Sequence, residues 1–378
     1  MYRKTGIFNL QDPMISQLRH LPADSQVLKA TKFLVRQIHQ RGLKVGDRLP
    51  SQAALRQSEF SNDTLSGAMQ ILTDAGTIVR QVGRGTTVKC LERQPEGLWT
   101  IGLLVQNGII AKFPFYAQLF SLIQEAMVGA GLRSQMHLQR VDMGRTKMGD
   151  RLDTYHLLRH DLEEDRLDGI LTLANLVAED CQDLQERGIP VVHVGSWEGL
   201  PRGAVIDRYT WVKEATEELY EQGARQFGIV SIGGCQYADS FFYDGHLDGL
   251  AACGLSASAT RSLTKGEGIS AGKELGKCLL AEDAKPDALI VVDDRIAMGL
   301  ISVLAEDSSY RPKLAVQTNR QAPFTYALPI TAYEVDAQEL VRHGIEIMLA
   351  SLNNPKTSPE IRWLAPVRAE SHESYSSK

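Results

Sequence analysis

The chain has no apolar run approaching the roughly 18–20 residues of a membrane span; its longest, such as residues 101–105, are strand-sized. The N-terminus, Met1-Tyr2-Arg3-Lys4 followed by mixed polar sequence, lacks the apolar stretch and small-residue cleavage site of a secretory signal, so a cytoplasmic protein without membrane contact is expected. Cysteine is scarce, with only Cys90, Cys181, Cys235, Cys253 and Cys278. An odd number without a Cys-x-x-Cys pair excludes a visible disulfide framework or zinc motif and leaves each thiol a small apolar side chain. Phosphate-cradling glycine patterns are missing too: Gly233-Gly234 is neither a Walker nor a dinucleotide loop. Asp293 and Asp294 are adjacent carboxylates, but no His or Lys motif completes a catalytic set around them. His156 and His160 stand four apart on an expected helix near 154–165, with Asp153 close by, yet no third strong ligand joins them. No enzyme, cofactor or metal site is therefore expected.

What the chain does have is an uneven charge. Of its 41 Lys+Arg and 46 Asp+Glu, residues 1–94 hold 14 and 7, a net +7, and the remaining 27 and 39 give −12. A small basic module joined to a large acidic one points to nucleic acid at one end and another partner at the other. At 378 residues the length suits two or three domains.

Residues 1–24 show no sustained period and contain Pro13 and Pro22, the pattern of a poorly ordered arm. From Ser25, Val27, Ala30, Leu34 and Ile38 recur at helical spacing, with Lys29, Lys32 and Arg36 outside the stripe and Gly42 ending it. Ser51 is a candidate N-cap for a short helix over 52–58. Ser61 caps the next, in which Leu65, Ala68, Met69 and Leu72 follow the helical template up to Gly76. Residues 77–82 and 86–89 are β-prone runs around Gly83-Arg84-Gly85, a hairpin signal. Three helices and a two-stranded ribbon, net basic, make a winged helix-turn-helix over 25–90. Residues 91–99 read as a linker. Over 100–370, short apolar strands (101–105, 133–138, 169–173, 190–194, 227–232, 288–292, 313–317, 330–335) alternate with helices (115–130, 178–187, 211–222, 242–252, 270–280, 295–304, 337–349). That is an α/β domain of parallel sheets covered on both faces, too long for one sheet and hence two-lobed. Residues 371–378 form a tail. Ligands of such folds bind beyond the carboxyl ends of the strands.

Two resemblances add to this reading. Gly-Asp-Arg-Leu-Pro-Ser at 46–51 and Gly-Arg-Gly-Thr-Thr-Val at 83–88 resemble the winged-helix domain of GntR-family regulators. The segments IGLLV (101–105), PFYAQLF (114–120), GIPVVHVG (188–195), AVID (204–207), EATEELYEQGARQFGIVS (214–231) and VVDDRIAMGL (291–300) resemble the effector domain of LacI/GalR-type repressors, which is related to periplasmic sugar-binding proteins. The pairing is similar to arabinose-type repressors. It implies a homodimer that binds a double-stranded operator and a small-molecule effector, a carbohydrate, between the lobes.

In the GntR family the second helix of the motif enters the major groove with basic side chains near its start. Here the family's Arg positions fall on Ala53, Asn62 and Ser66, and residues 61–75 contain no Lys or Arg. Helix-start amides at Ser61–Thr64 remain able to hold a phosphate, and Asn62 to read an adenine edge. Asp63 is repelled by phosphate unless it caps the helix or accepts from cytosine. Basic contacts then fall to Lys29, Lys32, Arg48, Arg80 and Arg84, with Ser51, Gln52, Thr64, Gly85 and Thr86 beside them. Arg84, at a glycine-flanked tip, suits a minor groove.

In the effector domain, Asp294 matches the Asp of the family's Asp-x-x-Ala-x-Gly, which accepts hydrogen bonds from sugar hydroxyls; helix N-capping is the plainer role, and the two are compatible. Phe115, Tyr116 and Trp197 are aromatic candidates framing the pocket, and Asp207 matches a cleft-edge Asp. The family's Arg-x-x-Gly becomes Phe242 and Gly245, which removes a charged donor and favours an uncharged sugar or apolar substituent at Phe242. The function implied is a ligand-responsive transcription regulator, a repressor of carbohydrate-utilisation genes. The alternative is a ligand-sensing protein with a degenerate DNA-binding head that acts through protein partners.

Overall fold

A computed structural model describes residues 21–22, 25–55, 60–81, 85–106, 108–140, 150–174, 176–195, 200–232, 236–263, 266–321 and 324–369. Nearly all of the expected arm, the tip of the hairpin with Arg84, the loop with Trp197 and the tail lie outside these residues.

The head begins with helix α1 (Gln26–Gln40), which buries Leu28, Ala30, Leu34, Val35 and Ile38 on one face. Helix α2 is short (Gln52–Leu55). Helix α3 (Asn62–Asp74) is capped by Ser61, whose Oγ accepts from the Thr64 N–H at 3.1 Å. It packs Leu65, Ala68, Met69 and Leu72 against α1. Strands β1 (Ile78–Gln81) and β2 (Gly85–Val88) form the antiparallel ribbon, Ile78 opposite Val88 and Gln81 opposite Gly85. Arg48 bridges to Thr87, the Leu49 N–H donates to Thr86 O, and the Val88 N–H donates to Asp47 O. The two segments that carry the GntR resemblance are thus hydrogen-bonded to each other.

The rest of the described chain forms two lobes. The N-terminal lobe has strands β3 (Thr100–Val105), β4 (Arg133–Leu138), β5 (Gly169–Thr172), β6 (Val191–Gly195), β7 (Gly203–Ile206) and β13 (Ile361–Leu364), in the order β13-β7-β6-β5-β3-β4 and all parallel. Helices α4 (Ile109–Lys112) and α5 (Pro114–Gly129) follow β3, and α6 (Leu158–Glu163) and α7 (Ala178–Glu186) flank β5. Successive strand residues face opposite ways: Ile101, Leu103 and Leu171 join the cluster with Leu119, Ile123 and Met127 of α5, whereas Leu104 and Ile170 join the one with Leu162 and Leu184. Both faces are covered.

The C-terminal lobe repeats the plan. Its strands are β8 (Phe227–Val230), β9 (Thr260–Leu263), β10 (Ala288–Val291), β11 (Lys313–Asn319), β12 (Thr331–Val335) and β14 (Val367–Arg368), in the order β14-β12-β11-β10-β8-β9. All are parallel except β14, which runs antiparallel to β12. Helices α8 (Arg208–Glu221) and α9 (Gln236–Ala252) cover one face, α10 (Gly268–Ala281) and α11 (Asp294–Glu306) the other. The chain passes between lobes three times: from β7 to α8, from β12 to helix α12 (Ala337–Asn353), which packs on β6 and β7, and from β13 to β14. Strands β7, β9, β13 and β14 carry no sequence expectation. Among the described residues no helix is long and apolar enough to cross a membrane.

The expected helix near 154–165 needs correction. A 3-10 turn at Leu152–Thr154 is separated from α6 by Leu157, whose φ of 58° ends helical continuity. His156 therefore precedes the helix that holds His160. Among the described residues no group of three His, Cys, Asp or Glu could hold a metal ion.

Candidate functional site

In the head, α3 presents Ser61, Asn62 and Asp63 to solvent at its start. Ser61 is the cap, so Asp63 does not cap, and what remains for it is repulsion or a cytosine contact. The Thr64 hydroxyl meets Ser61 Oγ at 2.8 Å. Ser51 likewise accepts from the Ala54 N–H at 3.2 Å; the side chain of Gln52 lies outside the described residues. Arg48 and Arg80 are exposed. Arg80 stands opposite Thr86 in the two-stranded ribbon, and Arg48 is held beside β2 by an isolated bridge to Thr87. Gly85 opens β2 with φ +88°, a turn conformation natural only to glycine.

Lys32 requires correction as a DNA contact. Its ammonium lies 2.7 and 2.8 Å from the two carboxylate oxygens of Asp168, just before β5, and only 13% of the side chain is exposed. A strong acidic partner within the same chain has already taken its charge. Lys29, half-buried, lies one turn earlier on the same face of α1.

In the effector domain, the carboxyl ends of β10 and β11 bring Asp294 and Asn319 together; Asn319 Nδ2 donates to Asp294 Oδ2 at 2.6 Å. The cap of α11 is Asp293, whose carboxylate accepts from the Ile296 N–H at 2.8 Å. Capping therefore does not occupy Asp294. Burial, with Asp293 adding repulsion, pushes the Asp294 carboxyl up to about 6. Burial raises Asp293 as well. Tyr326 is buried beside them: its hydroxyl has no partner among the described residues, and burial followed by the two carboxylates drives its pKa strongly upward. Thr318, next to Asn319, also has a buried hydroxyl without a partner among the described residues.

Phe115 and Tyr116 are half-buried at the start of α5, edge to face at 5.6 Å, and Phe113 meets Tyr116 at 6.1 Å. The Arg295 guanidinium, on α11 of the opposite lobe, lies over the Phe113 ring at 4.6 Å. Asp207 caps α8, with one oxygen accepting from the Thr210 N–H (3.0 Å) and the other from its hydroxyl (2.6 Å). Phe242 requires correction as a ligand contact: at 3% exposure it packs edge-on to Trp211 at 6.1 Å in the core, beneath the Arg208 guanidinium at 5.0 Å. A phenyl ring at this position gains from burial what a charged side chain would lose.

Sequence reading missed Asn319, Tyr326, Thr318, Phe113 and Arg295. Asn319 carried a usable signal, since a polar residue closing a parallel strand sits where such folds bind ligands. Tyr326 and Phe113 lie in loops whose approach to the cleft depends on tertiary packing.

Residues 28–88 match bacterial regulatory proteins of the gntR family, and residues 216–374 match the periplasmic binding protein-like domain. The chain is 24% identical over 262 residues to a transcriptional repressor PurR of Haemophilus influenzae, covering 68% of this chain and 74% of that protein. It is 30% identical over 140 residues to catabolite control protein A of Staphylococcus xylosus, covering 36% and 42%. In three dimensions it resembles a LacI transcriptional regulator from a Rhodococcus species (TM-score 0.56, 19% identity, 73% of this chain and 99% of that one). It also resembles a LacI-family regulator from Enterococcus faecium with bound ribose (TM-score 0.56, 16% identity, 72% and 97%). The chain thus joins a DNA-binding domain of the gntR family of bacterial regulatory proteins to a periplasmic-binding-protein-like domain with the fold of LacI-type regulators.

Proposed function

We propose that this protein is a ligand-responsive transcription repressor, cytoplasmic and without enzymatic activity, whose operator affinity is set by a small molecule between the two lobes. The observation that carries it is the joining of a net-basic winged helix-turn-helix to a two-lobed fold in which Asp294 and Asn319 meet at the carboxyl ends of β10 and β11. The polar pair, the half-buried Phe115 and Tyr116, and the ribose bound to the Enterococcus relative favour a carbohydrate. Asp294 and the aromatics at 115 and 116 are the effector contacts in this reading; Asp207 contributes at the cleft edge, and Trp197 from its loop. The DNA contacts are Arg48, Arg80, Arg84, the amides of Ser61–Thr64, and Asn62.

Binding of the effector draws the lobes together and changes the placement of the heads. The operator must reciprocally weaken the effector. A tenfold preference of the effector for the DNA-free state removes about 1.4 kcal/mol of operator affinity at saturation.

Two-fold operators call for two heads. Strand β4 is an edge of the N-terminal sheet, and it exposes Met136 and Leu138, each 50% accessible, beside Val128 of α5 at 74%. An apolar sheet edge of this kind is a surface that proteins cover. Homodimerisation through β4 and α5 predicts that Leu138→Asp shifts the protein from two chains to one in analytical ultracentrifugation at micromolar concentration. An unchanged mass would place the dimer contact elsewhere.

The salt dependence of duplex binding tests the head directly. Log K falls with log salt by about 0.9 per phosphate neutralised. Arg48, Arg80 and Arg84 on each of two heads predict a slope near about −5, and Arg80→Ala should reduce its magnitude by about 2. An α3 without Lys or Arg is the one feature favouring a degenerate head; absence of binding even at low salt would establish that alternative.

A further inference from the structure

The basic stripe of α1 does not face away from the effector domain; it docks on it. Lys32 holds Asp168, which also accepts from the Thr100 N–H at 2.8 Å at the start of β3. Arg36 lies over the Trp99 ring, 5.1 Å from guanidinium to centroid, with Lys32 at 5.8 Å, and its Nε donates to Leu352 O at 3.3 Å. Trp99 is 1% exposed; its indole N–H donates to Gln94, and the Gln94 amide donates to Asn353, both at 2.9 Å. Leu98 is equally buried. Residues expected as a linker are therefore part of a packed seam.

This seam lies at the amino ends of the N-lobe strands, whereas the cleft lies at their carboxyl ends. Helix α12 connects the two. Its 17 residues span about 25 Å. Its cap, Asp336, accepts from Gln321 and Arg320 of the C-terminal lobe at 2.7 Å each. Along its length it is fitted tightly to the N-lobe. A Cβ on Gly344 would lie 2.4 Å from Val194 Cγ2, and Met348 Sδ would meet one on Gly169 at 2.8 Å. Its last residues, Leu352 and Asn353, receive Arg36 and Gln94 of the seam.

We infer that α12 is the strut that carries lobe movement at the cleft to the head, through the seam formed by Lys32–Asp168, Arg36–Trp99–Leu352 and Gln94–Asn353. Movement of the C-terminal lobe pulls on Asp336. The rigid helix pivots on Gly344 and Val194, and its far end tilts α1 and the head with it. The seam stands without any assumption about DNA; its regulatory consequence rests on the repressor reading.

The test uses the full chain and needs no effector. Arg320→Ala removes an exposed side chain that ties Asp336 to the C-terminal lobe. Hydrogen exchange is followed in peptides covering residues 94–100 and α1, at the other end of α12. Several-fold faster exchange there, with the rest of the head and N-lobe unchanged, is the expected result. An effect confined to the neighbourhood of residue 320 would overturn the strut. In parallel, binding of a random-sequence 30-base-pair duplex is followed against salt. Lys32→Ala should leave the slope unchanged while speeding exchange at residues 94–100, and Lys32→Arg should restore slow exchange. A slope reduced by Lys32→Ala would return Lys32 to the phosphates and overturn the seam. Failure of every variant and of the wild-type to bind DNA would sink the repressor reading instead, and the exchange result would stand apart from it.

Discussion

Gly299→Ala is expected to destabilise the C-terminal lobe by about 3 kcal/mol or more, although glycine to alanine in a helix interior ordinarily stabilises by about 1 kcal/mol. Gly299 lies in α11, where the helix crosses α10. A Cβ at that position would lie 2.0 Å from the Ile269 carbonyl oxygen and 3.0 Å from the Lys273 amide. These are backbone atoms, so no side chain can rotate away and the helices must part. Gly272, across the same seam, is equally tight, its Cβ position being 2.1 Å from Ile296 O. Gly129, at the end of α5 with nothing within 4 Å, is the control. Calorimetry should show the C-lobe transition falling by roughly 6–12 °C in Gly299→Ala, with Gly129→Ala unchanged or slightly higher. Matching melting curves for the two variants would refute the close approach.

The same geometry explains why two motifs of the effector domain contain glycine. In Asp294-x-x-Ala-x-Gly299 the aspartate meets Asn319 at the strand ends and the glycine lets α11 lie against α10. In Phe242-x-x-Gly245 the glycine lets α9 lie against α8, a Cβ there falling 2.4 Å from Tyr209 O. In the first motif the spacing ties the strand-end Asp294 to a helix-crossing point at Gly299, and packing the second helps to fix the first.

Local patterns made much of this legible from sequence. The stripe of Leu34 and Ile38, the Ser61 cap and the strand runs at 101–105 and 288–292 report their own conformation, because periodicity and capping depend on neighbours in sequence. What stayed hidden depends on residues far apart. Lys32 reads as a free cation until Asp168, 136 positions later, is placed beside it. Phe242 reads as a pocket residue until Trp211 shows it a core. Strand β13 finds its place only beside β7, more than 150 residues earlier. The cap of α11 is Asp293 and not Asp294, a step of one residue that adjacent aspartates leave open in the sequence.

Asp294→Asn is expected to move stability and binding in opposite directions. In the folded chain the carboxyl sits at about 6, above its ordinary value of 3.8, because burial and Asp293 oppose the charge. A raised carboxyl pKa contributes stability that is complete below the unfolded value near 3.8 and is lost as pH rises through about 6. At pH 7 the ionised group is therefore a burden on the fold that the neutral amide relieves, and Asn319 can still hydrogen-bond it. The variant should melt higher than the wild-type at pH 7, and the gap should close toward pH 4. Effector hydroxyls, by contrast, donate to the ionised form, and losing a charge-assisted pair costs about 1.5–3 kcal/mol, roughly 10- to 150-fold in affinity. Binding to the wild-type should tighten as pH rises from 5 through about 6 and then level, whereas the variant's weak binding should be flat with pH. Calorimetric titration with the sugar nominated by the genes beside the protein's genomic binding sites measures this, with thermal melts at pH 4 and 7 alongside. A residue kept for structure would lose stability on substitution. A variant less stable at pH 7 with unchanged affinity would remove Asp294 from the effector site, whereas a more stable variant that no longer binds would mark a carboxylate held at the fold's expense for the ligand's sake.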